Sequence, residues 1–517
     1  MSLPRLNKQA LPALAAQTQA LLPNAEIFNL PEKVLQFGAG GFLRAFADYF
    51  IDHANRRGRF NGRIVVVQST GGSRGDTLRE QEGLFTVCVQ GLEKGVAVEN
   101  YTVVASISRT LAAQEEWAQV LLCAANADLE LVLSNTTEVG IAFDAQDALT
   151  LNPPRSFPGK LTAFLYERFK HFRGAADKGL IIIPCELVDN NADLLREIVL
   201  QLALQWQLGE AFTQWLTQAN RFCNSLVDRI VPGTPAQETL QQHGQKLGYE
   251  DQLLTSAEIY SLWAIQGDDA IRQRLTFVPA NPPIIVTHDI TPYRERKVRI
   301  LNGTHTFSVP AAFLLGNRIV LDNMKHPLTS QFIERMIFDE IVPSLEVDRE
   351  SASAFAREVL ERWRNPFLQH KLIDITLHST SKMRARNVPT IVRYHEKFKK
   401  APPLLAFGFA AYLFFMRGVE KQNGKIYGRN GDELYPINDE QAEYFYEVWQ
   451  RVQNPDAAAL ERLVKTVCSN ESLWGTSLAS LTGFVAAVSF GLKNMAHAGM
   501  AQALASALSA EVAPLGS

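Results

Sequence analysis

Lys33-Val34-Leu35-Gln36-Phe37-Gly38-Ala39-Gly40-Gly41-Phe42-Leu43-Arg44-Ala45 is the stretch on which the fold turns. Its first five residues read as a short buried strand and its glycines as a tight turn. The apolar spacing of Phe46, Tyr49, Phe50 and His53 then reads as a helix. Strand, Gly-x-Gly-Gly and helix in that order make a dinucleotide-binding arrangement. Glycines let the backbone approach a pyrophosphate, whose charge is met by amides at the helix start. The third glycine of the G-x-G-x-x-G pattern is missing, and Leu43 stands in its place. Candidate cofactor contacts run from Val34 to Ala45, with Gln68 and Ser69 at the end of the next strand.

Outward from that stretch, strands and helices alternate. Arg63–Val67 is a continuous β-branched run of the fully buried type. Residues 84–90, 129–134 and 179–184 read as further strands, with 97–106 as a pairing partner for the first of them. Helices are expected near 112–125, 158–172 and 192–208. Such alternation implies a doubly wound parallel sheet, which places ligands at the carboxyl ends of its strands. From Thr291 onward the segments are long and helical, namely 330–343, 351–364, 404–417, 439–452 and 456–467. The reading is therefore an α/β, Rossmann-like domain over residues 1–285, with an N-terminal helical extension packed on it. A mostly α-helical domain over 286–517 follows. Residues 422–433, rich in Gly and Asn, read as a surface loop.

Composition narrows the function classes. Hydrophobic residues at 46% with 20% charged describe a globular chain with sizeable cores. A net charge near −3 gives no electrostatic case for nucleic acid or an anionic membrane. No unbroken apolar run is long enough to span a bilayer, and residues 1–23 lack a signal-peptide core. The five cysteines are scattered singly, with no metal-ligand spacing. Reduced thiols in a cytoplasmic, metal-free enzyme are the expectation.

Several polar residues could carry chemistry. Thr291-Pro292 starts a helix well, since a Thr side chain caps free amides and Pro fits the first turn. On that helix Lys297, Asn302 and His305 spread over roughly 140° at α-helical pitch. Together they offer a proton donor, an amide donor and an imidazole, the equipment for reducing a carbonyl. Asn191 and Thr136 follow strands of the expected sheet. Asp228 sits among apolar neighbours beside Arg229, either as a site carboxylate or as half of a structural ion pair. Lys382, Arg384 and Arg386 lie in an unusually basic run and could meet a substrate carboxylate. No acidic residue follows the second strand until Asp76, and Arg74 could meet a 2′-phosphate, so NAD and NADP both stay open.

In combination, these motifs resemble the mannitol dehydrogenase family, the long-chain polyol-specific dehydrogenases. Carrying the likeness are Gln36–Phe46, Glu80–Thr86, Ser134–Glu138, Ile183–Leu187, Val227–Ile230, Tyr293–Lys297, Leu301–His305 and Arg364–Pro366, in the family's order. The resemblance implies a Rossmann domain, an all-helical second domain, an active site drawing on both, and no metal. It implies Lys297 as the catalytic acid/base, Asn302 with Asn191 as the oxyanion-stabilising pair and His305 as the active-site histidine. Asp228 would lie near the lysine, Thr136 near the nicotinamide, and Lys382 on the substrate. The chain departs from the polyol-specific members and from fructuronate reductases by having Leu43 where they carry His. It also has Cys185-Glu186-Leu187 where they carry Cys-Asp-Asn, and Asp374 where the polyol enzymes place a substrate arginine. Those departures favour a hexuronate, reduced at its keto group, with another hexuronate or hexitol oxidoreductase of the family, such as fructuronate reductase, as the runner-up; NAD is the expected coenzyme, and NADP stays open. A dinucleotide-binding sensor without turnover is the reading from another class, and the intact set of Lys297, Asn302, His305 and Asn191 argues against it.

Overall fold

The computed structural model describes residues 3–69, 74–93, 95–136, 139–233, 235–452 and 455–509. Two compact units divide the chain, Met1–Ile290 and Thr291–Ser517.

In the first unit the strands are β1 Glu32–Phe37, β2 Arg63–Gln68, β3 Phe85–Glu93, β4 Val96–Val104, β5 Ile107–Ala112 and β6 Leu131–Ser134. They continue with β7 Ile181–Pro184, β8 Arg221–Phe222, β9 Ser225–Asp228, β10 Thr255–Glu258, β11 Leu262–Gln266 and β12 Ile284–Thr287. The main sheet runs β5-β2-β1-β6-β7-β8, with every neighbouring pair parallel. Both faces are covered, which is why these strands are continuous apolar runs. Pleating sends Val34, Val66 and Leu133 to one face, against Phe46, Phe50 and Trp263. Leu35, Val65 and Val132 go to the other, against Phe164 and Phe212. Strand order reverses between β1 and β6, the place where such a sheet opens a crevice at its carboxyl edge.

Two small sheets, β10-β3-β4 and β12-β11-β9, complete this unit. The N-terminal segment buries Leu6, Leu11 and Leu14 against Leu84, Tyr101 and Tyr249. Its helix is only one turn, Leu11–Leu14.

The second unit is helical, built around Pro403–Phe415, a helix buried on nearly every side. The long helix Phe484–Ser509 packs on it, interrupted at Gly499. Residues 422–433 correct the sequence reading. They belong to an antiparallel sheet of β13 Glu420–Gln422, β14 Lys425–Asn430 and β15 Glu433–Pro436. Asn423 and Gly424 both take positive φ, 50° and 76°. That is the turn an Asn-Gly pair prefers between two strands, so the breakers mark a hairpin rather than a loop. Among the described residues, no helix is long and apolar enough to cross a membrane.

Among the described residues of the second unit, three segments are π-helical: Lys297–Gly303, Met336–Ile341 and Met383–Asn387. Hydrophobic spacing cannot announce them, because one wider turn inside a longer helix barely disturbs the apolar pattern.

Candidate active site

At the carboxyl end of β1 the chain turns at Gly38, whose φ is +121° and whose amide donates to the Val67 carbonyl at 3.0 Å. A Cβ there would stand 2.9 Å from the Asn135 carbonyl oxygen, so only glycine fits both the angle and the space. Gly40 is extended, and a Cβ on it would meet nothing within 4 Å. Just past the end of β2, the Ser69 hydroxyl is buried without a partner. Open space over a glycine and an unsatisfied donor at the next strand end fit a dinucleotide.

Val34, Leu35, Phe37, Leu43 and Ala45 are core side chains, so residues 38–41 would serve through their backbone. Leu43 fills the interior where a third glycine would have left room. Gln36 is buried and donates to the Gly38 carbonyl at 3.1 Å, bracing the loop from beneath. Arg44 turns inward, donating to the Leu253 carbonyl and lying over the Phe85 ring. Residues 70–73 and 137–138 lie outside the described residues, including Thr70 and the end of the Ser134–Glu138 motif, and so does the side chain of Arg74.

Thr136 is held by a residue the sequence reading noted only as a departure. The buried Glu186 carboxylate accepts from the Thr136 amide and hydroxyl, both at 2.9 Å, and from the Ser134 hydroxyl at 3.0 Å. Burial raises the Glu186 pKa, and those donors oppose the rise.

Asn191 has another occupation than the one expected of it. Its Nδ2 donates to the carbonyls of Pro184 and Glu186 at 3.0 Å and of Ser225 at 3.1 Å, and its Oδ1 accepts from the Ser225 amide at 3.0 Å. An amide has two hydrogens, and here three acceptors share them. Asn191 therefore ties β7 to β9 through its side-chain amide.

Asp228 ends β9, 5% exposed, opposite Leu262 on β11. Arg229 turns elsewhere, donating to the carbonyls of Glu258 at 3.0 Å and Ala45 at 2.6 Å beneath the Tyr49 ring. Burial lowers its pKa to about 10.

In the second unit, helix Thr291–Arg296 runs into the π-helix Lys297–Gly303 and then helix Thr304–Leu314. Lys297 and Asn302 lie on the π segment, where i→i+5 hydrogen bonds widen the turn. The 140° arc expected at α-helical pitch therefore does not apply to them. Lys297 is 9% exposed. The π segment is braced from Met383–Asn387: Asn387 donates to the Gly303 carbonyl at 3.0 Å. Arg299 donates to the Ala385 and Arg386 carbonyls at 2.7 and 2.9 Å.

His305 is buried, stacked on the Trp363 ring at 4.0 Å, with the edge of His370 at 5.7 Å. Burial, with the neighbouring His370, Arg386, Arg362 and Lys382, holds its pKa well below the usual imidazole range. It is neutral at physiological pH, and its Nδ1 is buried without a partner. Lys382 donates to the Ile375 carbonyl at 3.0 Å. Arg384 faces away: it is exposed, its guanidinium against the Ser472 carbonyl at 3.4 Å and beside Trp474.

One group in the first unit was invisible to ligand spacing. Cys88 on β3, Glu99 on β4 and His243 bring possible ligand atoms within 4.8 Å of one another. They already engage local partners. Tyr101 bonds His243 Nδ1 at 2.8 Å, Lys246 pairs with Glu99, and burial raises the Cys88 thiol to about 11.

Comparison with known proteins bears on this arrangement. Residues 32–277 match the mannitol dehydrogenase Rossmann domain and residues 289–496 the mannitol dehydrogenase C-terminal domain. Altronate oxidoreductase of Bacillus subtilis (strain 168) is 40% identical over 476 residues, 92% of this chain and 95% of that one. Altronate oxidoreductase of Yersinia enterocolitica is 40% identical over 478 residues, 92% of this chain and 96% of that one. Among solved structures, Pseudomonas fluorescens mannitol 2-dehydrogenase, in ternary complex with NAD and D-mannitol, matches 98% of this chain and 100% of its own. Its TM-score is 0.69, at 23% identity. A substrate-free D-sorbitol dehydrogenase matches 96% of this chain and 100% of its own, with TM-score 0.78 at 19% identity. At those identities the structural likeness speaks for the fold.

Proposed function

The chain belongs to the mannitol dehydrogenase family and is an oxidoreductase acting on CH–OH groups, and from that premise we propose that it interconverts tagaturonate and altronate with NAD(H). The carrying observation is the 40% identity to altronate oxidoreductases over 92% of the chain. Leu43 and Glu186, which depart from the polyol-specific pattern, support the hexuronate branch over mannitol. NAD is favoured over NADP by the NAD named in the mannitol 2-dehydrogenase complex.

The coenzyme would lie over Gly38–Gly41, near Ser69 and Thr136, and it supplies the hydride that reduces the keto carbon. Everything else is the work of side chains. As the carbon accepts the hydride pair, the C=O π pair moves onto oxygen. Asn302 donates a hydrogen bond to that oxygen, and such a donor contributes about 3 kcal/mol at the transition state. Lys297 gives the oxygen its proton, completing the alcohol; in the oxidative direction its neutral amine takes that proton back. His305, kept neutral, hydrogen-bonds a substrate hydroxyl. Lys382 contacts the substrate.

The test is the initial rate of NADH loss with the purified chain on tagaturonate, fructuronate and fructose. Tagaturonate should be turned over fastest. Faster turnover of fructuronate or fructose would move the assignment within the family, and no turnover of any of them would leave the sensor reading.

A further inference from the structure

Cys88, Glu99 and His243 come from three separate elements, and the small sheet β10-β3-β4 brings them together. β3 and β4 pair antiparallel, with Cys88 opposite Tyr101 and Gln90 opposite Glu99. Directly opposed residues, and residues two apart, share a face, so all four lie on one side of the sheet. Helix Gln237–Leu247 covers that side. Its Leu247 joins the core that holds Cys88 and Tyr101, and His243 lies one turn earlier on the same helix face. The Tyr101 hydroxyl hydrogen-bonds His243 Nδ1 at 2.8 Å and the two rings meet edge to face, so the imidazole is oriented. Glu99 divides its two oxygens. Oε2 pairs with Lys246, and Oε1 stands 3.9 Å from the Cys88 sulfur. The sulfur, one carboxylate oxygen and one imidazole nitrogen all lie within 4.8 Å of one another.

We propose that Cys88, Glu99 and His243 bind a zinc-class divalent cation, which staples β3, β4 and helix Gln237–Leu247 together. The spans fit such an ion. Zinc bonds sulfur at about 2.3 Å and oxygen at about 2.1 Å, which at the tetrahedral angle sets those two atoms about 3.6 Å apart. The 3.9 Å between Cys88 Sγ and Glu99 Oε1 therefore needs only a small side-chain adjustment. A thiolate with an imidazole selects zinc over magnesium or calcium, which prefer oxygen ligands. Two negative ligands meet the double charge, and the thiol proton leaves to solvent as the sulfur binds. Lys246, on a long and exposed side chain, keeps Oε2 or swings into water. The ion has a way in: Cys88 is fully buried, but the Glu99 side chain is 21% exposed and His243 is half-buried. Three protein ligands leave the fourth position to water. The role is structural, because the ligands join separate elements and none lies in the glycine loop.

The test uses the full-length chain, stripped with a chelator, dialysed, and titrated with zinc against a chromophoric chelator. One zinc per chain should bind with a dissociation constant of about 10 μM or tighter, and excess magnesium should not displace it. Cobalt(II) in the same site should show a thiolate charge-transfer band in the near ultraviolet and the intense visible bands of tetrahedral coordination. Cys88→Ser and His243→Gln should each weaken zinc by about a hundredfold or more, and Cys88→Ser should erase the charge-transfer band. Melting curves without metal show first that each variant is folded. Should the buried Cys88→Ser fail there, His243→Gln, at a half-buried position, carries the test. Zinc at about a hundred times its dissociation constant should raise the melting temperature of the wild type and leave that of His243→Gln unmoved. Binding weaker than about 10 μM, equal binding by the wild type and His243→Gln, or a cobalt spectrum without the charge-transfer band overturns the proposal.

Discussion

Lys297 and Asn302 sit five residues apart on one π-helical segment, Lys297–Gly303. In an α-helix that separation turns the second side chain roughly 140° from the first. In a π-helix, residue i+5 donates to the carbonyl of residue i, so the two stand one above the other. The proposed reaction needs Lys297 and Asn302 to meet at one oxygen, and the wider turn brings the two positions toward the same side.

Replacing Lys297 by Ala should lower kcat by about a thousandfold, the range for a lost general acid. NADH binding, read by fluorescence titration, should be nearly intact. A variant with near-normal turnover would show that the proton comes from elsewhere.

The two asparagines should separate cleanly. Asn302→Ala is expected to cut kcat by about a hundredfold with an unchanged melting temperature. Asn191→Ala should act on stability: it strips the acceptor from the Ser225 amide and the side-chain donor from the Ser225 carbonyl, while the Pro184 and Glu186 carbonyls keep the Ser225 hydroxyl and the Val188 amide. Each orphaned group costs about 1–3 kcal/mol. Paired melting curves and kcat values decide the matter, and a stable, catalytically dead Asn191→Ala would restore its oxyanion role.

Asp48, fully buried under the glycine loop, has its pKa raised to about 7 by burial, against donation from Gln36 at 3.3 Å and the charge of Arg44. Its unfolded value is near 3.8. Between those values the folded chain holds a proton that the unfolded chain releases, so stability falls as pH rises from about 4 to about 7. Asp48→Asn removes that penalty. Its melting temperature should match the wild type near pH 4 and exceed it increasingly toward pH 8. A constant difference across that range would refute the shift.

His305 is already neutral well below the usual imidazole range. The pH profile of kcat/KM should therefore show no limb from this residue between pH 6 and 8. His305→Gln should lower the whole profile without changing its shape there. A limb near pH 6.5 that disappears in the variant would mean the imidazole titrates after all.

Much of the first unit was legible because local rules suffice for it. Residues 33–37 and 63–67 had to be buried strands, since continuous β-branched and apolar runs demand cover on both faces. Gly38 followed from its motif and is confirmed by a φ of +121°. The Asn423-Gly424 hairpin was misread, although its turn residues were in plain sight, because polar breakers were weighed over the short strands they join.

Sequence alone determined the alternating α/β unit, the helical unit and the basic run at 382–386, because propensity, periodicity and side-chain type are local properties. Only the tertiary structure decided what those residues touch. It committed the Asn191 amide to three carbonyls, put Glu186 under Thr136, and turned Arg384 toward the Ser472 carbonyl. A hydrogen bond or a charge contact is fixed by the position of a partner far along the chain. That position comes from packing, and no spacing within a motif records it.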